Sequence, residues 1–160
     1  MSTALGYHLT FHPYGTWLPG DERGWTERGG DGSRREPNRQ LEGIAREGLL
    51  GPPLRFDERQ RSVVDRTIIA VGAHRGWRLH ALVVHSDHVH LVVTPEVAPE
   101  RVVSTLKSWS TRRLREEELV AETARVWARH GSTRYLGDER RMVVAIEYVI
   151  RQGGRRLSAD

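Results

Sequence analysis

The sequence predicts an α+β domain: an antiparallel sheet of about four strands, helices packed on one face, and a long loop inserted after the first strand. Three observations predict it. Residues 6–12 alternate apolar and polar side chains with the period of a strand. Residues 57–75 change to the spacing of an amphipathic helix. Two short β-branched runs, 78–84 and 88–94, are separated by a polar break, which reads as a hairpin. A chain of 160 residues can bury one core but is short for two, so residues 1–160 read as a single domain.

In the first strand Tyr7, Leu9 and Phe11 form the core-facing set, opposite His8, Thr10 and His12, and Pro13 ends it. A segment dense in Gly, Pro and Arg follows, giving an insertion of about 13–55. Loops this long inside a small domain are usually functional or disordered. Trp17 and Trp25 argue for order in its first half, either by packing the loop onto the domain or by stacking on bases. Gln40 to Gly48 suits a short helix, which Gly51-Pro52-Pro53 stops.

The clearest helix is Asp57 to Arg75. Asp57 and Gln60 make a capping-box start, and Gly76 suits the C-terminal cap. Val64, Ile68 and Val71 form its apolar stripe, widened by Val63, Thr67 and Ala70. If Ser86 and Asp87 turn the hairpin, His85 lies across from His88 and Val83 across from His90. A second helix runs from Pro99 to about Glu118, with Val103, Leu106, Ser110 and Leu114 inward. Lys107, Ser108, Thr111, Arg112 and Arg115 lie largely elsewhere. That surface is basic and hydroxylic, as phosphate contacts require, and a solvated face would read the same. An irregular fourth strand is expected around Ser132 to Leu136. A last helix, Asp138 to Gln152, carries a core stripe of Met142, Ile146, Val149 and Ile150.

Composition narrows the chemistry. There is no cysteine, so disulfides and thiolate metal sites are excluded. No apolar run reaches the length of a membrane span, and a cytoplasmic protein is the default expectation. The net charge is +4, and 24 of the 25 basic residues are arginine. Residues 1–100 hold 12 basic and 13 acidic side chains, whereas residues 101–160 hold 13 and 8. A GC-rich genome would explain arginine over lysine but not that asymmetry. A basic C-terminal part suggests a polyanionic partner.

Two constellations stand out. His88 and His90 share one face of their strand, and two imidazoles side by side can converge on one metal ion. Tyr148 and Gln152 share one face of the last helix, on a stripe with Arg141 and Ala145 that lies away from the apolar one.

Together these pieces resemble the single-tyrosine transposases of the HUH endonuclease superfamily, which include small insertion-sequence transposases and their REP-associated relatives. His88-Val89-His90 looks like the family's His-hydrophobic-His motif. Tyr148-Val149-Ile150-Arg151-Gln152 looks like its Tyr-x-x-x-Gln motif, and the order of elements is similar to its ferredoxin-like core. The likeness runs from Tyr7 to Gly153. It implies a divalent cation, Mg²⁺ or Mn²⁺, held by His88, His90 and the Gln152 amide. Imidazole ligands favour Mn²⁺. It further implies Tyr148 as the nucleophile on single-stranded or hairpin DNA, leaving a 5′-phosphotyrosine. Lys107, Arg112, Arg115 and Arg141 are the candidate DNA contacts, and a membrane partner is not expected. Relatives work either as monomers or as homodimers with the tyrosine in trans, and both arrangements stay open. A domesticated, non-cleaving binder of single-stranded or hairpin DNA is the competing reading, although a pure binder would need neither motif. A barrel-type His-metal oxygenase is disfavoured by the small number of strands.

Overall fold

The computed structural model describes residues 4–27 and 33–157, apart from the side chain of His130. In chain order the elements are β1 (Gly6–Pro13), β2 (Trp25–Thr26), β3 (Arg34–Arg35), α1 (Arg39–Glu47), α2 (Glu58–Arg75), β4 (Arg78–Val84), β5 (Val89–Thr94), α3 (Pro99–Glu116), β6 (Trp127–Leu136), α4 (Glu139–Arg151) and β7 (Arg155–Arg156). The main sheet has the order β6-β1-β5-β4-β7, antiparallel throughout. Without the short edge strand β7 this is the ferredoxin-like arrangement, with β1 and β5 central. The expected α+β class holds.

Local chemistry accounts for the element ends. Asp57 and Gln60 exchange both capping-box hydrogen bonds at the start of α2. Gly76 closes that helix at φ 71°, a left-handed conformation that glycine adopts without steric cost. The β4–β5 turn pairs Val83 with His90, and the His85 backbone N–H donates to the His88 carbonyl, in the expected register. Strand β6 is longer than expected, starting at Trp127, with an irregularity opposite Phe11/Pro13. Gly131 lies there, and a Cβ at that position would meet the Thr10 carbonyl oxygen at 2.2 Å.

The helices do not all lie on one face, and this corrects the sequence reading. Helices α2 and α3 cover one side, burying Val64, Ile68, Leu106 and Leu114 against Leu9, Phe11, Leu82, Val89 and Leu91. Helix α4 covers the other side, packing Met142, Ala145, Ile146 and Val149 onto Ala81, Val83 and Val92. The physical reason is visible in β5, where Val89 through Val93 are all buried. A strand covered on both faces reads as a near-continuous apolar run, which conceals its second partner. The buried arc of α4 is also turned toward Ala145, whose small side chain suits close approach to the sheet; Ile150, expected inside, is exposed.

The insertion is largely structured. Strands β2 and β3 pair with each other, α1 is capped by Asn38, and Trp25 donates its ring N–H to the Glu36 carbonyl. No helix among the described residues is long and apolar enough to cross a membrane.

Candidate active site

The alternation of β1 and β5 builds the site on the α4 side of the sheet. Val89, Leu91 and Val93 go to the apolar layer, so His90 goes to the other face, joined by His88 just before the strand. The two rings stand 4.9 Å apart at 77°. Strand β1 runs alongside and pairs Thr10 directly with His90. The Thr10 hydroxyl lies 3.0 Å from His90 Nδ1, and His8 Nε2 lies 3.1 Å from the same nitrogen. His88 is held by its neighbour: Nδ1 lies 2.7 Å from Asp87 Oδ1. A carboxylate can only accept, so His88 donates from Nδ1 and leaves Nε2 as a free lone pair.

Helix α4 brings Tyr148 onto this cluster. Its ring centroid lies 5.4 Å from that of His90, edge-on at 87°, and 5.6 Å from that of His8. Tyr148 stays 42% exposed, so its ring closes one side of the histidines while remaining open to solvent. Gln152 follows one turn later as the C-cap of α4, its backbone N–H donating to the Tyr148 and Val149 carbonyls.

Burial sets the protonation of the cluster. It pushes His90 down to about 3, with His8, His88 and His85 acting in the same direction. It lowers His8 to about 4, with Arg134 adding to the effect. Burial also lowers His88, against the opposing pull of Asp87. For Asp87, burial acts upward, but hydrogen bonds from Arg23 and His88 outweigh it and hold the carboxyl below its ordinary range. The histidines are therefore neutral near pH 7, the state a metal ligand needs.

This donor set suits a divalent cation. Both imidazoles have Nδ1 engaged, and orientation through a hydrogen bond at the other ring nitrogen is how ligating histidines are usually held. Among the described residues no three His, Asp or Glu side chains converge as a ready metal cage. Two imidazoles would need a third ligand of another kind, and a side-chain amide such as that of Gln152 is of that kind. His85, whose ring lies 4.5 Å from that of His88, has a buried Nε2 without a hydrogen-bond partner.

The model of the family described as "Transposase IS200 like" matches residues 55–152, more than half of the chain. The chain belongs to that family. In fold this IS200-like transposase is similar to the REP-associated tyrosine transposase solved bound to a REP hairpin. That likeness has a TM-score of 0.53 at 12% identity and covers 96% of this chain and 72% of that one. A candidate transposase from Deinococcus radiodurans R1 is also similar, at 18% identity and a TM-score of 0.47, covering 95% and 93% of the two chains. No curated protein sequence matches.

The four basic candidates divide. Lys107, Arg112 and Arg115 line one cavity of about 650 Å³ with Ser108, Thr111 and Trp127. It lies along α3, in the layer opposite α4. Lys107 donates to the Ala128 carbonyl at 2.9 Å, and burial lowers its ammonium pKa. Arg112 pairs with Glu116. Arg141 stands apart in the first turn of α4, paired with Asp138 at 3.6 Å.

Sequence reasoning missed His8, Thr10 and Asp87 as parts of the site. The alternation of β1 already put His8 and Thr10 on the non-core face, so pairing β1 beside β5 would have found them. Asp87 was read only as a turn residue. Trp17 was expected only to pack the loop onto the domain or stack on bases, and nothing local signalled Arg23; both reach the site from the insertion. Trp17 packs edge-on against His88 at 5.4 Å, and the Arg23 guanidinium stacks 3.8 Å from the Trp17 ring.

Proposed function

We propose that this chain is a single metal-dependent DNA nicking and joining domain that acts on single-stranded or hairpin DNA, with Tyr148 as the nucleophile. The observation that carries the reading is the approach of the Tyr148 ring to His90 and His8, across from a second oriented imidazole, His88. His88 and His90, with the Gln152 amide oxygen, would hold the cation. Bound there, Mg²⁺ or Mn²⁺ would supply Lewis-acid polarisation of the scissile phosphate.

The Tyr148 oxygen forms a bond to phosphorus, and the bond from phosphorus to the 3′ oxygen breaks. The phenol proton is balanced by the proton gained at the released 3′-hydroxyl. The 5′-phosphotyrosine retains the phosphodiester energy, so the 3′-hydroxyl of a second strand can reverse the step and be joined without ATP. Exposure of Tyr148 fits this role, because a strand must reach the phenol from solvent. The basic surface of α3 would bind backbone phosphates, and Arg141 would add a contact beside the tyrosine helix. Such a protein works in the cytoplasm, where its DNA is.

The test incubates labelled single-stranded hairpin DNA with protein and Mn²⁺, followed by a denaturing gel and peptide mapping. A covalent adduct on the peptide carrying Tyr148 is expected. Cleavage without an adduct, or an adduct on the Tyr14 or Tyr135 peptide, would defeat the mechanism.

A further inference from the structure

The family match begins at residue 55, so the insertion before it has no role assigned by that likeness. One of its contacts leads directly to the histidines. Arg23 places Nη1 2.5 Å from Asp87 Oδ2, the oxygen opposite the one that holds His88. The other edge of the same guanidinium meets Asp21, with Nε 2.9 Å from Oδ1 and Nη2 3.0 Å from Oδ2. The Arg23 backbone N–H donates to Asp21 as well, at 2.8 Å. Both carboxylates are only 8% exposed.

The fork is fixed from the side too. It stacks on Trp17, whose ring N–H donates to the Gly24 carbonyl at 2.8 Å. Trp17 adopts φ 49°, an uncommon conformation for a residue with a side chain, which the surrounding contacts must hold in place. Thr16 ties the same turn to the hairpin, its hydroxyl 2.7 Å from the Pro13 carbonyl and 3.3 Å from that of Asp87. Arg55, exposed and 3.6 Å from Asp87, is a weaker second cation.

We propose that the insertion positions His88 through the chain Asp21–Arg23–Asp87–His88, with Arg23 as the positioning residue that fixes the Nδ1–H tautomer and aims Nε2 at the metal position. A buried carboxylate without a partner is costly and reorients or takes up a proton. A planar fork held on two sides removes that freedom, which a lysine could not reproduce because it offers a point charge. Hydrogen-bond partners behind metal-bound histidines typically contribute about 10–100-fold in metal affinity.

This inference rests on His88 being a metal ligand, so its test includes that control. Mn²⁺ affinity is measured by calorimetry for wild type, His88→Ala, Arg23→Ala, Arg23→Lys and Asp87→Asn. The His88 tautomer is read from ring ¹⁵N shifts of the metal-free wild-type and Arg23 proteins, and circular dichroism follows the fold. Arg23→Ala is expected to weaken Mn²⁺ binding by about tenfold or more and to mix the His88 tautomers, with Arg23→Lys intermediate. Asp87→Asn, nearly isosteric, should match the loss in affinity even if Arg23→Ala fails to fold. If His88→Ala loses affinity while Asp87→Asn, or a folded Arg23→Ala, retains it, the positioning chain is wrong and the metal reading survives. If His88→Ala itself binds Mn²⁺ as wild type does, both readings fall.

Discussion

The two faces of the central sheet solve different problems with the same strands. On the α2/α3 side, β1 and β5 present Leu9, Phe11, Val89, Leu91 and Val93, all fully buried. On the α4 side the same strands present His8, Thr10, His90 and Val92. The apolar patch of Ala81, Val83 and Val92 anchors α4 there, and the polar patch lies beside it under the Tyr148 ring. The first face holds the larger of the two apolar clusters. The second uses just enough packing to hold one helix, and thereby Tyr148, against a histidine cluster. The proposed catalytic tyrosine and His90 are thus carried on regular elements whose backs are locked into a dry core, as precise positioning requires.

The comparison predicts opposite outcomes for two substitutions. Tyr148→Phe should eliminate the covalent DNA adduct while changing stability by no more than about 0.5 kcal/mol, since the ring and its half-exposed packing remain. Leu91→Ala, on the next residue along β5 from His90 but facing the other layer, should cost about 2–5 kcal/mol in a denaturant melt. It should keep adduct formation below its lowered melting temperature. A Leu91→Ala protein of wild-type stability, or a Tyr148→Phe protein that still forms the adduct, would erase the distinction between the faces.

A second outcome concerns pH. His8 and His90 stay neutral when folded, to about 4 and about 3, whereas unfolded histidine titrates near 6.5. Between pH 6.5 and 4 the unfolded chain binds more protons, so stability rises with pH and is lost as pH falls through that window. Each histidine contributes up to about 1.4 kcal/mol per pH unit. Melting temperatures of metal-free protein across that range should show the slope, and His8→Gln should flatten it. An unchanged slope would mean that the α4 face admits more water than its packing indicates.

The smallest effect contrasts the two basic regions. Arg112→Ala, on the α3 cavity, should reduce the salt dependence of hairpin binding by about one unit of slope without altering adduct chemistry on bound DNA. Arg141→Ala, on the tyrosine helix, should lower adduct yield at least as much as it lowers binding. Filter binding over a salt series, paired with adduct yield at saturating DNA, separates the two.

Much of this protein was legible from residues alone, because those features depend on local chemistry. The capping box of Asp57 and Gln60, the Gly76 cap, the Val83–His90 register and the shared face of His88 and His90 all follow from spacing within a few residues. The juxtaposition of separate segments was not legible. That α4 crosses to the opposite face depended on Val92 and Ala81 being buried on a side where the sequence predicted no covering helix. That Arg23 would reach Asp87, 64 residues away, depended on how a Gly-rich loop folds back. Sequence determines where each side chain points along its own strand or helix. Which element then covers that face is decided by packing and by the pairing of buried charges, and both exist only once the chain has closed on itself.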